Sequence, residues 1–499
     1  MRQITLITLA LYLVINCQAQ SGSDSTKNKM LLNLDEMIHL AKLQSISSFR
    51  SKNMYLARYW EFRSFKASQL PGLRLNATPF NYNRSVTPQY DFESGDYIFV
   101  PDERISSDIG LSLNQNVTLT GAKLSLTSDV RRMENMGSNN VSFTSVPVSI
   151  RLSQPLNGYN EFKWQSKLKP LAFEKAKKTF IAEMENLSEQ AVRIFFNSIG
   201  AEIDLKMAET NLANADTLFL VGKGRFQIGT VTQDELLDLE LSYLNARMAK
   251  TKASLNLKQA QNQLNSFLGF EKEVKITPLI PDEIPSLKVN ADHALELAKE
   301  NNPSILELEE MLISANEKVA RTRSTSGLSA DLRANLGINK QADNFKEVYQ
   351  SPFGDDRGLG ISINAPILDW GTRRGHILMA KSDKQVTEAT VKQALIDFEQ
   401  NVIMRILEFN LQEEQVSISA KADTVAQLGY NVTKQRFMID KVDVIKLNAA
   451  RNNLDGAKRN YINALSDYWR GYYNIRQITL FDFEQNQTLI KSLDYLLKQ

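Results

Sequence analysis

The chain has a single cysteine, Cys17, in 499 residues. A mature chain that begins beyond it has no disulfide, no thiol nucleophile and no cysteine-ligated metal. Its three histidines, His39, His293 and His376, are scattered and off ligand spacing, and no H-E-x-x-H motif occurs. After residue 20 no stretch approaches the ~18 consecutive apolar residues of a membrane-spanning helix. Neither sign of charge dominates: 59 Lys and Arg against 57 Asp and Glu leave +2. That balance lacks the basic excess of a nucleic-acid binder. Phosphate-cradling loops are missing as well. Gly222 and Gly224 are followed by Gln227 where a third glycine would stand, and no βαβ unit surrounds them. Gly354, Gly358 and Gly360 precede a strand and read as a loop. With no nucleophile constellation either, the sequence points away from catalysis, cofactors and resident metals.

What is present begins with a secretory signal. Arg2 gives a positive start, residues 4–15 are mostly apolar, and Ala19 precedes polar Gln20-Ser21-Gly22-Ser23-Asp24. Residues 1–19 are the expected signal peptide, cut after Ala19. A lipid anchor on Cys17 is the alternative: Val14-Ile15 precede it, but Asn16 directly before the cysteine fits that pattern poorly. An exported chain without a spanning helix is soluble, or it crosses a membrane as a β-barrel.

The remainder repeats itself. Pro155 and Pro366 lie 211 positions apart, and so do Arg225-Phe226 and Arg436-Phe437, and Ala253 and Ala464. Earlier in each half the separation is 257: Ala41-Lys42 matches Ala298-Lys299. The first half therefore carries 46 additional residues in between, enough for one extra hairpin around Gly121. We divide the chain into repeats 20–285 and 286–499, with Pro281 and Pro285 marking the joint.

Each half opens with a helical segment, 34–66 in the first, with an acidic first turn. Alternating strands follow, about 71–155 and 327–366. Leu328, Ala330, Leu332, Ala334, Leu336 and Ile338 mark one apolar face, and Leu359, Ile361 and Ile363 another strand. Such alternation suits a membrane barrel, and it suits a water-soluble sandwich equally. Tyr82, Tyr90, Phe92, Tyr97 and Phe99 read as lying between strands, where an aromatic belt and an ordinary loop are both open. Two long helices complete each half. The hairpins span about 158–269, with a tip at 222–231, and about 369–478, with a tip at 436–442. At 1.5 Å per residue the first outgoing helix spans roughly 97 Å. Leu237, Leu241, Leu244 and Met248 form a 4-3-4 seam of the kind that packs as a coiled coil. At the first tip Gly229 permits a left-handed turn residue. Thr232 with Glu235 makes a capping box for the returning helix.

The pattern Arg225-Phe226-x-x-Gly229, a cap, Leu236-Leu237, then alanine-rich heptads ending in Leu264-Asn265-Ser266-Phe267-Leu268-Gly269 resembles the TolC family of outer-membrane efflux channels. The likeness covers nearly the whole mature chain and rests on arrangement more than on any single motif. It implies an α+β fold of duplicated halves in which three chains close one outer-membrane β-barrel, continued by a periplasmic α-helical coiled-coil barrel. It further implies a homotrimer, and a channel of tripartite efflux or type I secretion that passively exports solutes. Its partners would be a periplasmic adaptor (membrane fusion) protein, an inner-membrane RND or ABC pump, and outer-membrane lipid, without nucleic acid or cofactor. The resemblance assigns adaptor docking to Arg225, Phe226, Gly229, Thr230, Arg436 and Phe437. In the second tip Asp440 replaces the glycine, and the positions of the family's acidic pair hold Lys446 and Ala449. Asp440 and Asp443 nearby, with Glu235 and Asp238 in the first half, are the candidates for a carboxylate ring at the periplasmic aperture. A periplasmic coiled-coil scaffold without a pore is the rival reading.

Overall fold

The structure is a computed structural model that describes residues 29–137, 140–270, 274–281, 284–439, 441–442, 444–490, 493 and 496. The expected signal peptide, Cys17, Asp440 and Asp443 therefore lie outside the described residues.

The helices come in matched pairs. α1 (Leu34–Gln44) and α2 (Ile46–Ser68) have 11 and 23 residues. Their counterparts α5 (Ala291–Asn301) and α6 (Pro303–Thr325) have the same lengths. α3 (Glu161–Gln227) and α4 (Gln233–Leu268) have 67 and 36 residues, as do α7 (Thr372–Met438) and α8 (Val444–Thr479). Each boundary obeys the 257- or 211-residue separation. The opening helix expected over 34–66 is broken. Ser45 is extended at φ −67°, ψ 147°, and Asn302 at φ −67°, ψ 129° breaks its counterpart. The cause at Asn302 is the following proline, which disfavours helical backbone before it. Asn302 also caps α6 by accepting from the Ser304 amide.

The chain forms two compact units. One takes in residues 1–46, 190–284 and 422–466, the other 47–189, 285–421 and 467–499. Both draw on both sequence halves, so the compact units cut across the repeats.

The second unit holds a six-stranded antiparallel sheet in the order β2-β3-β4-β5-β7-β8. The strands are β2 (Gly72–Asp91), β3 (Asp96–Val117), β4 (Ala122–Asn135), β5 (Asn140–Pro155), β7 (Ser329–Ala342) and β8 (Gly354–Asn364). β7 begins 257 positions after β2, and the prolines ending β5 and following β8 are 211 apart. That leaves β3 and β4, joined through Gly121 at φ +80°, without counterparts. The glycines at 354, 358 and 360 belong to β8 rather than to a loop. A Cβ at Gly358 would lie 2.1 Å from Asn335 Oδ1 of the neighbouring strand, so any larger residue there would displace the Asn335 side chain. The aromatics expected between strands are instead part of the β2–β3 hairpin, where Tyr90 meets Phe92 and Tyr97 edge-on at 5.3 Å.

Register writes one apolar face across the sheet. Leu73 lies opposite Leu113, Leu113 opposite Leu126, Leu126 opposite Ile150, and Ile150 opposite Leu336. Leu124, Leu152, Ala334 and Leu359 make a second row. Leu73, Leu126, Ile150, Leu336 and Leu359 are all exposed, Leu359 to 79%. The other face is polar: Asn76 Nδ2 donates to Ser112 Oγ at 3.3 Å and Ser125 Oγ to Asn114 Oδ1 at 2.8 Å.

The same unit has its core where α2 and α3 meet the chain after α8. Tyr55, Phe180, Ile181, Leu480, Leu493 and Leu496 are buried together. Beside them Arg476 donates to Glu185 at 2.8 Å and to Asp482 at 2.5 Å, and both carboxylates are buried. Burial opposes the Arg476 charge, but Glu185, Tyr472 and Asp482 outweigh it and hold the guanidinium's pKa above its usual value. Burial likewise raises the Tyr472 hydroxyl, keeping it a neutral donor to Glu484. A paired charge in such a place costs several kcal/mol to break, on the order of 3–5, so the turn after α8 is firmly anchored.

In the first unit β1 (Lys29–Leu32) pairs in parallel with β6 (Lys275–Pro278), and α1 follows β1. Met37 and Ala41 of α1 and Leu264 and Leu268 of α4 are buried. Gly269 ends α4 in the left-handed conformation at φ +76°. No helix among the described residues is long and apolar enough to cross a membrane.

Candidate functional site at the helical tips

Both helical hairpins turn within the first unit, and their turns carry the residues singled out from the sequence. α3 ends in a tight reversal. The Gly229 amide donates to the Phe226 carbonyl and the Thr230 amide to the Arg225 carbonyl, each at 3.0 Å. With Gly229 at φ +78°, this is the Schellman closure, which satisfies carbonyls that the helix end leaves unpaired. The Thr230 hydroxyl adds a third bond, to the Arg225 carbonyl at 3.1 Å. Four of the expected docking residues thus form one hydrogen-bonded turn. Phe226 and Ile228 are exposed beside it, Ile228 to 74%, so the turn presents apolar surface.

The returning helix starts on its expected cap. Thr232 is extended at φ −80°, ψ 164°, and its amide donates to Glu235 Oε2 at 2.9 Å. The Asp234 carboxyl is held below its usual range, first by a hydrogen bond from the Thr232 side chain and then by amides of the first turn. A carboxylate at a helix N-terminus also meets the favourable end of the macrodipole. Glu235, an expected aperture residue, thus also caps α4.

In the second tip the Lys441 amide donates to the Arg436 carbonyl at 2.9 Å. The bond joins the positions equivalent to Thr230 and Arg225, so the Arg436 carbonyl near the end of α7 is satisfied in the same way. Asp440 and Asp443 belong to the undescribed positions of this tip.

Asp238, one turn beyond Glu235, lines a polar cavity of about 600 Å³ with Asp204, Arg451, Asp455 and Arg459. Around it Arg459 Nε meets Asp204 Oδ1 at 2.7 Å, Asn211 Nδ2 donates to Asp455 Oδ2 at 3.0 Å, and Asn214 Nδ2 donates to Tyr430 OH at 3.1 Å. These links tie α3 to α7 and α8. Arg459 and Asp204 are partly exposed, and such ion pairs contribute about 0–1 kcal/mol. The links join residues some 216 to 255 positions apart, and no local motif marks them in the sequence. Among the described residues no group of three or more His, Cys, Asp or Glu side chains is placed to hold a metal ion.

The apolar seams expected to pack as coiled coil are open in the single chain. Leu237, Leu241, Leu244, Met248 and Leu255 of α4 are exposed. On α7, Met404, Leu411, Ile418, Val425 and Val432 recur every seven residues and are exposed too. A heptad stripe is the face that a partner helix covers.

The sequence profile described as outer membrane efflux protein matches residues 116–270 and 294–479. Its first segment begins near the end of β3. No curated protein matches the sequence. Among solved structures, the Campylobacter jejuni CmeC outer membrane channel is similar at 14% identity and a TM-score of 0.62, over 93% of this chain and 88% of that one. The open state of the Neisseria gonorrhoeae MtrE outer membrane channel is similar at 16% identity and 0.57, over 92% and 93%. A structure of CusC, described in terms of folding and transmembrane channel formation, is similar at 14% and 0.60, over 89% and 91%. Likenesses at this identity bear on the fold.

Proposed function

The chain belongs to the outer membrane efflux protein family, and from that premise we propose that it is the outer-membrane channel of a tripartite efflux or type I secretion system. As a family member it is a transport protein and not an enzyme, placed in the outer membrane with a large periplasmic helical part. The observation that carries the reading is the exposed apolar face shared by all six strands. A soluble sandwich would bury that face against a second sheet. Lipid covers it directly.

The edges support assembly as a homotrimer. Among the described residues β2 and β8 end the sheet without partners, and open strand edges do not face lipid. A closed ring of three copies removes them, and the open heptad stripes on α4 and α7 give neighbouring copies helical faces to join. The tips dock a periplasmic adaptor through Arg225, Phe226, Gly229, Thr230, Arg436 and Phe437, coupling the channel to an inner-membrane RND or ABC pump. Export through the chain is passive, with energy supplied by the pump. Asp440, Asp443, Glu235 and Asp238 surround the periplasmic aperture, which opens when the tip helices part and the Asp204–Arg459 and Asn211–Asp455 links separate.

Membrane fractionation followed by unheated gel electrophoresis tests this. The expected result is a membrane-bound oligomer that dissociates on boiling. A soluble periplasmic monomer would end the channel reading.

A further inference from the structure

We propose that all six strands enter the membrane wall, so that three copies close an eighteen-stranded barrel. β8 of each copy joins β2 of the next in a register that the internal repeat specifies. The inference rests on the trimeric reading above and adds its strand count and seam.

β2 and β8 are the two edges of the sheet, and nearly all of their residues are exposed. By the two separations, β7 is the second-half counterpart of β2, and β8 that of β5. The junction between halves inside one chain is the antiparallel pair β5·β7, with Leu152 opposite Ala334, Ser153 opposite Arg333 and Gln154 opposite Leu332. Moving β5 forward by 211 and β7 back by 257 yields the junction between chains. Ile363 then lies opposite Ala77, Asn364 opposite Asn76, and Ala365 opposite Leu75. Six alternating strands also leave β8 antiparallel to the next β2, as the junction requires.

Two observations outside that construction agree with it. The first is parity. The register sets Asn364 against Asn76, whose side chain lies on the polar face with Ser112, and sets apolar against apolar on either side. A slip of one residue would place Ile363 opposite Asn76 and invert every face. The second is the pair of tryptophans below the strands. Inside the chain the junction is buttressed by Tyr159, whose hydroxyl bonds Glu317 and accepts from Arg321 at 3.1 Å. The repeat turns Tyr159 into Trp370 and Glu317 into Trp60. Both are bare in the single chain, Trp370 at 89% and Trp60 at 60% exposed. A polar buttress within the chain thus becomes an indole pair between chains. Likewise the Leu156 amide, which donates to the Ala330 carbonyl at 2.8 Å, becomes Ile367 facing Leu73, with Ile367 fully exposed.

The unmatched strands β3 and β4 lie in the middle of the sheet, between β2 and β5. They add circumference without altering either edge. Barrels of about 16–18 strands leave an aqueous channel, whereas ~8-stranded ones are filled by side chains or hold one small ligand.

The test is disulfide cross-linking of the full chain in isolated outer membranes, each pair compared with its single-cysteine parents. Asn76→Cys with Asn364→Cys brings two residues directly opposite, within disulfide reach. The expected result is covalent dimers and trimers on a boiled, non-reducing gel. Ala77→Cys with Ile363→Cys tests the other face and stands in if the first pair fails to reach the membrane. Asn364→Cys linking instead to Asp129→Cys on β4, level with Asn76 across the sheet, would place β2 and β3 outside the wall and overturn the proposal. Heat-dissociable trimers with no cross-link in either pair would overturn it as well. A soluble monomer would sink the underlying channel reading instead.

Discussion

Gly229 is the residue on which the first tip turns. Its φ of +78° costs an ordinary L-residue roughly 1–2 kcal/mol, yet the second tip carries Asp440 at the matching position. Asp visits the left-handed region more readily than most residues, and the Lys441–Arg436 bond closes the second tip with the same reach. Gly229→Asp is therefore expected to leave adaptor cross-linking within about twofold of wild type, with the strain term partly relieved by local hydrogen bonding. Gly229→Val, β-branched and strained, is expected to reduce it about tenfold, as ~1.4 kcal/mol would, while trimers persist. Equal cross-linking in both variants would show that the turn geometry does not set docking. The Gly229 turn and the Thr232–Glu235 cap were legible residue by residue, because turn chemistry is local. The Asp204–Arg459 and Asn211–Asp455 links were not, since their partners meet only after the long helices fold back.

Equal helix lengths in both halves suit helices that end at common levels in the proposed ring. Seven-residue stripes on α7, and the α4 seam at Leu237, Leu241, Leu244 and Met248, supply the faces. One alanine inserted in α4 between Leu241 and Leu244 turns everything beyond it by about 100° at 3.6 residues per turn. Oligomers on unheated gels are then expected to disappear, whereas a seven-residue insertion, about two turns, retains them. Persistence of the oligomer after the single insertion would remove α4 from the interface. The long helices could be read to within a few residues because their period is sustained. The break at Ser45 could not, since Ser45-Ile46 carries no punctuation, although Asn302-Pro303 marks its counterpart. The β2–β3 hairpin escaped for another reason. Its upper part, from Pro79 to Phe99, is largely exposed, and a strand with no buried side has no alternation to display.

For the whole assembly, the proposed trimer would repeat Asp440 and Asp443 three times around the proposed aperture. Asp440→Asn combined with Asp443→Asn is expected to weaken block of the channel by divalent cations in planar bilayers at least severalfold, because rings of carboxylates concentrate cations. Unchanged block would remove both residues from the aperture. The sequence left sandwich and barrel equally open, since alternation records two faces without saying what each one meets. Register favours the barrel by gathering Leu73, Leu113, Leu126, Ile150 and Leu336 into one row, exposed at every position but the half-buried Leu113.

That row has a cost before the protein reaches lipid. An exported chain crosses an aqueous compartment, and there an apolar sheet with two bare edges is a template for indiscriminate strand pairing. Folding the sheet early would expose the chain to aggregation in transit. The helices satisfy their backbone within themselves and present no strand edge, so they can form in water without that hazard. On the trimeric reading the order of events is constrained: the sheet stays unfolded or escorted until the membrane and two further copies are at hand.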